Sequence, residues 1–537
     1  METQTLIGQE IRPKKYTRNT ITTIATIAIV MVYLFMFISC KQKNDLSHFK
    51  ELLPLAENVF ENDTNFYYVD FESYPINNTE LPIGIFDSGT GGLTVLDAIL
   101  RYDAHNNGNR QIGADSVADF MNEKFIYLGD QANMPYGTYS AENNIVLLRE
   151  HIIKDVQFLL GNKYYQSANA MQYQTDKQPV KAIVIACNTA TAYGMTDVVA
   201  VIKQSGTGMA VIGVIDAGAL GALELLGKTE DASIAVLATE GTVASNGYVN
   251  AIERLQREQS YTGTIRVFQQ AGNGIAGAVD EAPEYLVKDQ KKPHQAYKGP
   301  SFDNQNFPIN RSLLSTYKFD YSNNHILCDN ENVAQCTNIQ INSPENYVRY
   351  NVVMLMEQIR QAKDAPPLKS VILGCTHYPY LLNIFQKVFD ELYNLKDSGR
   401  YVYRQYMAEK INFIDPAVNT AKELYAHLSQ TKRYFQSNTK ESTTRVTESE
   451  FYISVPNRKN PNVTLDSSGR FTYNYKYGRK AGEIQEYIRV VPFSRSTISD
   501  DVLGRFRSSI PYIYSLIQHF DQRNPKLKYM PTTERIE

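Results

Sequence analysis

The chain has 537 residues, 43% of them hydrophobic and 21% charged, which makes it too long for one ordinary domain and too apolar for a disordered polymer. Its 54 Lys and Arg against 57 Asp and Glu leave a formal charge of -3, so no global basic excess points to a nucleic-acid partner. Thirty-seven Tyr and no Trp provide a large core and polar-tipped aromatic surface, and no more than that.

Four cations, Arg12, Lys14, Lys15 and Arg18, precede the uncharged apolar run 21–39, which ends at Cys40. That is the layout of an export signal, and a run of about 20 apolar residues also has the length of a membrane span. Phe37-Ile38-Ser39-Cys40 resembles a bacterial lipobox, in which the Cys is acylated and becomes the first residue. Residues 1–40 are therefore expected to be a lipoprotein signal with Cys40 lipidated, or else a retained anchor. By the positive-inside rule either outcome places residue 41 onward outside the cytoplasm, membrane-tethered, in the periplasm or at the cell surface. Cys328 and Cys336, in the polar stretch LCDNENVAQC, are expected to close a disulfide in such a compartment, and no His or Cys spacing nearby suggests a metal.

Residues 41–80 carry weak periodicity and read as a tether. From Leu81, apolar runs rich in Val and Ile recur, each followed by a turn and a segment of helical period: LPIGIFD, KFIYLGD, KAIVIACN, MAVIGVID, SIAVLATE, SVILGCTH and INFIDPA. Strands alternating with helices predict an α/β protein with mostly parallel sheets. Residues 103–120 and 163–179 are polar insertions, and 283–345 is a longer one that holds the Cys pair. Beyond residue 430 the pattern changes to FYISVPN, VTLDSSGRFTYNYKYG and EYIRVVPF, which read as a small antiparallel sheet. An amphipathic stretch broken near Pro511 follows. Residues 431–537 are therefore a C-terminal extension of antiparallel strands and helix.

Open α/β sheets place their sites beyond the carboxyl ends of strands. The first run leads into Asp87-Ser88-Gly89-Thr90-Gly91-Gly92, where glycines let backbone amides crowd a helix start. KAIVIA ends in Cys187-Asn188-Thr189, a thiol at the mouth of a helix whose dipole favours thiolate. SVILG ends in Cys375-Thr376-His377, a second thiol in the same setting with an imidazole two residues on. An isolated Cys of this kind is usually a small buried residue; two of them, each followed by hydroxyl or amide side chains, suggest two halves facing one cleft.

FDSGTGG, the DQANMPYG of 130–137, ACNTAT, VIGVID, ATEGTVASNGY and LGCTHYPYL together resemble the cofactor-independent glutamate racemases of the aspartate/glutamate racemase superfamily, over about residues 81–282 and 346–425. The resemblance implies two pseudo-symmetric lobes with the active site between them, lobe A being 81–205 and 385–430 and lobe B 206–384 with the insertion 283–345. It implies that glutamate is racemised by two thiols working as base and acid on opposite faces of the α-carbon, with no cofactor and no metal. Cys187 would deprotonate the D-isomer and Cys375 the L-isomer, with Asp87 beside the first and His377 beside the second. Asp87, Ser88, Tyr136, Gly137, Asn188, Thr189, Thr376 and His377 would hold the substrate, and the protein would pair as a homodimer. Racemisation of aspartate or another acidic amino acid, and a non-catalytic envelope receptor for an acidic amino acid or wall peptide, stay open beside it. The sequence departs from the family at Asn133, where the family usually carries Arg, at Asp216, and at Gln270-Ala271-Gly272-Asn273 in place of a Cys-Pro turn.

Overall fold

The structure, a computed structural model, describes residues 53–61, 63–330, 335–435 and 444–537. The expected export signal or anchor with Cys40, and residues 41–52 of the expected tether, lie outside the described residues. Among the described residues no helix is long and apolar enough to cross a membrane.

All seven apolar runs become strands. β1 (Ile83–Asp87), β2 (Phe125–Gly129), β3 (Ala182–Ile185) and β4 (Ala210–Gly213) form one sheet; β5 (Ala232–Ala238), β6 (Ile265–Ala271), β9 (Leu368–Gly374) and β10 (Met407–Ile414) form another. The short hairpin of β7 (Ile326–Cys328) and β8 (Ile339–Ile341) lies in the 283–345 insertion. β1, β2, β3 and β5 are buried along their whole length, as parallel strands covered on both faces must be. The sheet orders are β12-β11-β2-β1-β3-β4 and β10-β9-β5-β6, where β11 (Glu450–Pro456) and β12 (Ile488–Pro492) belong to the C-terminal extension. In each sheet the first four strands in chain order lie in the sequence second, first, third, fourth. That shared winding is the pseudo-symmetry of the two lobes, and it puts a topological switch point between β1 and β3 in one and between β5 and β9 in the other.

Helices α1 (Pro54–Phe60), α2 (Leu93–Arg101), α3 (Ile145–Leu160), α4 (Asn188–Gln204), α5 (Val214–Glu224), α6 (Gly247–Glu258), α7 (Pro344–Gln361), α8 (Leu382–Tyr393) and α9 (Pro416–Gln430) cover the sheets. Several expected boundaries move. β4 lies in the first sheet and β10 in the second, and α8 packs on α7 and β10, so the chain changes lobe after residue 213 and again after 414 rather than at 206 and 385. Residues 53–80 are not a loose tether: Leu55, Ala56 and Val59 are buried, α1 packs on α3, and the Tyr74 hydroxyl donates to Val180 O at 2.7 Å. Apolar side chains at 55, 56 and 59 occupy one face of a helical turn, which is enough to dock so short a segment.

The extension does not build a sheet of its own. β11 adds to β2 in parallel, from Glu450 opposite Ile126 to Ile453 opposite Gly129, and β12 closes the edge antiparallel to β11. YNYKYG is a helix, α10 (Tyr473–Gly478), rather than a strand. It is followed by α11 (Asp500–Ser509) and α12 (Pro511–Arg523). The 283–345 insertion packs Ile309, Tyr317 and Phe319 into the core of the second lobe against α7, and Cys328 and Cys336 are disulfide-bonded there with Cα atoms 5.7 Å apart.

Candidate functional site

Each switch point carries a thiol. Asp87 is the last residue of β1, and its buried carboxylate accepts from the Gly92 amide at 2.7 Å. Cys187 follows the neighbouring strand β3 and caps α4: its Sγ accepts from the Ala190 amide at 3.5 Å and lies 3.7 Å from Ser88 Oγ. Burial, and then the Asp87 carboxylate, push the Cys187 thiol well up; burial likewise raises Asp87, against the lowering pull of His377. The expected thiolate preference of the helix mouth is therefore outweighed here by desolvation, and Cys187 and Asp87 form a pair of proton holders in contact with one another.

Cys375 follows β9 in the second lobe, with its Sγ 3.6 Å from His377 Nδ1. His377 Nε2 in turn lies 2.9 Å from Asp280 Oδ2. Burial alone would push this imidazole down, but Asp280 and the neighbouring thiol outweigh it and raise it well above its usual range. Asp280 is held below the ordinary carboxylate range although burial works the other way, by His377 and by Arg505. The second thiol thus heads a chain of thiol, imidazole and carboxylate. Asp280 follows the short helix Ile275–Val279, and nothing in its local sequence marks it.

The two turns meet. A Cβ placed on Gly91 would strike Thr376 Oγ1 and lie 2.9 Å from His377 Cε1, so only glycine lets the Asp87 turn approach the Cys375 turn so closely. Thr94 Oγ1 lies 3.3 Å from Thr376 O. Asn188 Oδ1 accepts from the Tyr248 hydroxyl at 2.6 Å, and Thr189 Oγ1 lies 3.0 Å from Thr239 Oγ1 and 3.2 Å from Thr242 Oγ1. Those partners stand on the second lobe at the end of β5 and on α6. Asp87, Ser88, Cys187, Asn188, Thr189, Cys375, Thr376 and His377 are therefore brought together at the lobe boundary, with Tyr248, Thr239, Thr242 and Asp280 as additions. The polar side chains of Asn188 and Thr189 hold the lobes to each other.

Tyr136 keeps its backbone, and not its hydroxyl, free for a ligand. Its hydroxyl is buried between Asp130 Oδ2 at 2.6 Å and Asp155 Oδ2 at 2.7 Å, so it is committed beneath the site and only the backbone of 136 and 137 is left to a ligand. Gly137 abuts Gly241 of the other lobe. Beneath the same loop, the missing Arg of position 133 has a counterpart from far along the chain: Arg479 of the extension donates to Asn133 Oδ1 at 2.9 Å. Asp130 also accepts from Asn133 Nδ2 and Ser454 Oγ. Of the other departures, Asp216 pairs with Arg254 at the surface, and Asn273 donates to Glu240 at 2.6 Å within the second lobe. A cavity of about 440 Å³ lined by Asp97, Arg101, Tyr380 and Asp415 lies beside the site, with neither thiol in its wall.

The chain is a two-lobed α/β protein with a buried thiol at the switch point of each sheet, one backed by a carboxylate and one by an imidazole. The glutamate racemase of Oceanobacillus iheyensis is 32% identical over 323 residues, covering 60% of this chain and 77% of that protein. That of Lactobacillus johnsonii is 34% identical over 208 residues (39% of this chain, 59% of that protein), and that of Chlorobaculum tepidum 34% over 194 residues (36% and 53%). The chain belongs to the glutamate racemase family. Its matches span 59%, 53% and 65% of the length of three curated relatives. Among solved structures, a glutamate racemase isoform from Bacillus anthracis aligns with TM-score 0.39 at 21% identity, covering 70% of this chain and 88% of that one. One from Francisella tularensis in complex with D-glutamate aligns with TM-score 0.37 at 18% identity, covering 75% and 95%. No family model matches.

Proposed function

We propose that the chain interconverts L- and D-glutamate by a two-thiol, two-base proton transfer that draws on no cofactor. The observation that carries this is the pair of buried thiols at equivalent switch points, Cys187 in contact with the Asp87 side and Cys375 with His377. In the D-to-L direction the Cys187 thiolate takes the α-proton, and the Cys375 thiol delivers its own proton to the opposite face of the carbanion. The reverse direction exchanges the roles. A D-to-L turnover leaves Cys187 protonated and Cys375 deprotonated; Asp87 then accepts the Cys187 proton and the His377 imidazolium gives one to Cys375, and exchange with solvent restores the Asp87 carboxylate and the His377 imidazolium. Asp87 suits that task because burial has already raised its affinity for a proton. Backbone amides of the glycine turn and the hydroxyls of Ser88 and Thr376 supply donors for the substrate carboxylates, where they act best once the closed lobes have excluded water.

The reading includes a membrane-tethered setting outside the cytoplasm. The cations and apolar run before Cys40 support it, and so does the Cys328–Cys336 disulfide, a bond at home in an oxidising compartment. The test of the reaction is chiral chromatography of L- and D-glutamate and of L-aspartate after incubation with residues 41–537 in reducing buffer without added cofactor. Inversion of glutamate in both directions is expected. Faster inversion of aspartate would move the substrate, and binding of glutamate without inversion would make the protein a receptor. Recovery of the mature chain in the cytosolic fraction with both thiols of the 328–336 pair free would overturn the compartment.

A further inference from the structure

The C-terminal extension reaches the second thiol. Arg505 lies on α11, which the family resemblance does not cover. Its NH1 donates to Val279 O and its NH2 to Asp280 Oδ1 at 3.1 Å. The Arg505 and Asp280 side chains are only 18% and 16% exposed, so this is not a solvated surface pair of negligible strength. The other oxygen of Asp280, Oδ2, is the one 2.9 Å from His377 Nε2, and Nδ1 of the same ring is 3.6 Å from Cys375 Sγ. Guanidinium, carboxylate, imidazole and thiol therefore stand in series, with one contact per atom.

We propose that Arg505 is a positioning residue for the Cys375 half of the site: by occupying Asp280 Oδ1 and the carbonyl of Val279 it fixes the carboxylate so that Oδ2 is presented to His377. The inference deepens the racemase reading and rests on it for its bearing on turnover. Three features support the assignment. Asp280 is the C-cap of a helix of only five residues, and its carboxylate is held between two partners, Arg505 on Oδ1 and His377 on Oδ2. A cation is the favoured occupant of a helix C-terminus, and here it satisfies an end carbonyl and the adjacent carboxylate with one fork, a geometry lysine lacks. Among the described residues the Cys187 half has no matching device: its thiol is met by Ser88, Asp87 and the Ala190 amide.

Among the described residues, the other ionisable groups that face this chain are Asp87, which acts on His377 across the lobe boundary, Tyr380, which lies in the field of both Arg505 and Asp280, and Tyr248 and Tyr378, which lie in the field of Cys375. None replaces Arg505: Asp87 is a second anion, Tyr380 offers a neutral hydroxyl with no hydrogen-bond partner among the described residues, and the hydroxyls of Tyr248 and Tyr378 donate to Asn188 Oδ1 and Gly272 O. The sign of the effect separates positioning from bystander charge. A guanidinium that acted only through its charge would oppose the imidazolium, and its loss would raise the affinity of His377 for its proton. A guanidinium that positions Asp280 does the reverse, because its loss lets the carboxylate turn away from His377.

The test is the pH dependence of the His377 imidazole carbon–proton signals, assigned by their loss in His377→Gln, in the whole chain carrying Arg505→Met, Arg505→Gln or Arg505→Lys. Arg505→Gln keeps a donor for Val279 O and so guards against undocking of α11. The expected result is that the His377 midpoint falls by about one pH unit in the Met and Gln variants, that Lys recovers part of the shift, and that the other histidine signals do not move. An unchanged or raised His377 midpoint in both neutral variants would overturn the proposal, as would equal movement of the other histidines. Absence of glutamate inversion in the parent protein would sink the racemase reading while the His377 titration still decided the role of Arg505.

Discussion

Replacing Arg479 by Met removes a cation that the extension buries beneath the 130–137 loop. Arg479 is 9% exposed. Its guanidinium donates to Asn133 Oδ1 at 2.9 Å, to the carbonyls of Tyr475 and Lys476 at 3.3 and 3.1 Å, and lies 3.2 Å from His151 Nε2. It also sits over the rings of Phe471, Tyr475 and Tyr487 at 5.3, 5.1 and 4.6 Å. Losing a charged donor from buried acceptors costs about 1.5–3 kcal/mol, and the aromatic contacts add about 0.5–2 kcal/mol. Met keeps most of the apolar volume, so the expected loss is about 2–5 kcal/mol, in line with the removal of one partner from other buried ionic networks. Burial, with help from Arg479 and Lys154, holds His151 well below its ordinary value of 6.5. A histidine depressed in the folded state costs stability as pH falls below its unfolded value. Arg479→Met relieves part of that depression, so the gap between parent and variant should narrow below pH 6.5. Urea unfolding followed by circular dichroism and by tyrosine fluorescence, at pH 7.5 and pH 5.5, measures both effects. A loss under about 1 kcal/mol or a gap that widens in acid would refute the reasoning.

Gly91→Ala would drive a methyl group into Thr376 and His377 and separate the two thiol turns; inversion of glutamate should fall at least about tenfold with stability lowered by about 1–3 kcal/mol, and an unchanged rate would show that the turns need not touch. Lys177 is buried, donates only to the carbonyls of Leu159 and Gln178, and is pushed down to about 7 by burial. Its folded state therefore sheds stability as pH falls from 10.5 toward 7, so Lys177→Met should gain on the parent between pH 10 and pH 7, and urea midpoints that stay parallel would contradict this. Opening the Cys328–Cys336 bond, which spans 8 positions, by Ser at both sites should cost about 2.5 kcal/mol through loop entropy; equal resistance of the 283–345 segment to proteolysis with and without the bond would argue otherwise.

What could be read from the sequence was local chemistry at strand ends. The Val- and Ile-rich runs identified seven strands of the two sheets but not β6, and the carboxyl ends of β1, β3 and β9 carried Asp87, Cys187 and Cys375, because a parallel strand delivers its last and next few residues to the switch point. That the Tyr136 hydroxyl is claimed by Asp155, a residue on a separate helix, was not legible in the sequence. Asp280 and Arg505 are partners only through the tertiary fold, and neither lies in a motif. YNYKYG was ambiguous for a stated reason: Tyr473 and Tyr477 are two positions of one strand face and also an i, i+4 pair. The structure takes the second option, with those rings 4.8 Å apart. The lobe boundaries failed because the sheet that owns a strand depends on pairing, which periodicity does not encode.

The central claim is that two thiols share one carbon, and solvent isotope incorporation at the α-carbon addresses it most directly. L- and D-glutamate are incubated in D2O with residues 41–537, then with the Cys187→Ser and Cys375→Ser variants. The account predicts deuterium in the inverted enantiomer with the parent protein and no inverted product with either variant. Inversion that survives the loss of either thiol, or no inversion by the parent while glutamate binds, would contradict it.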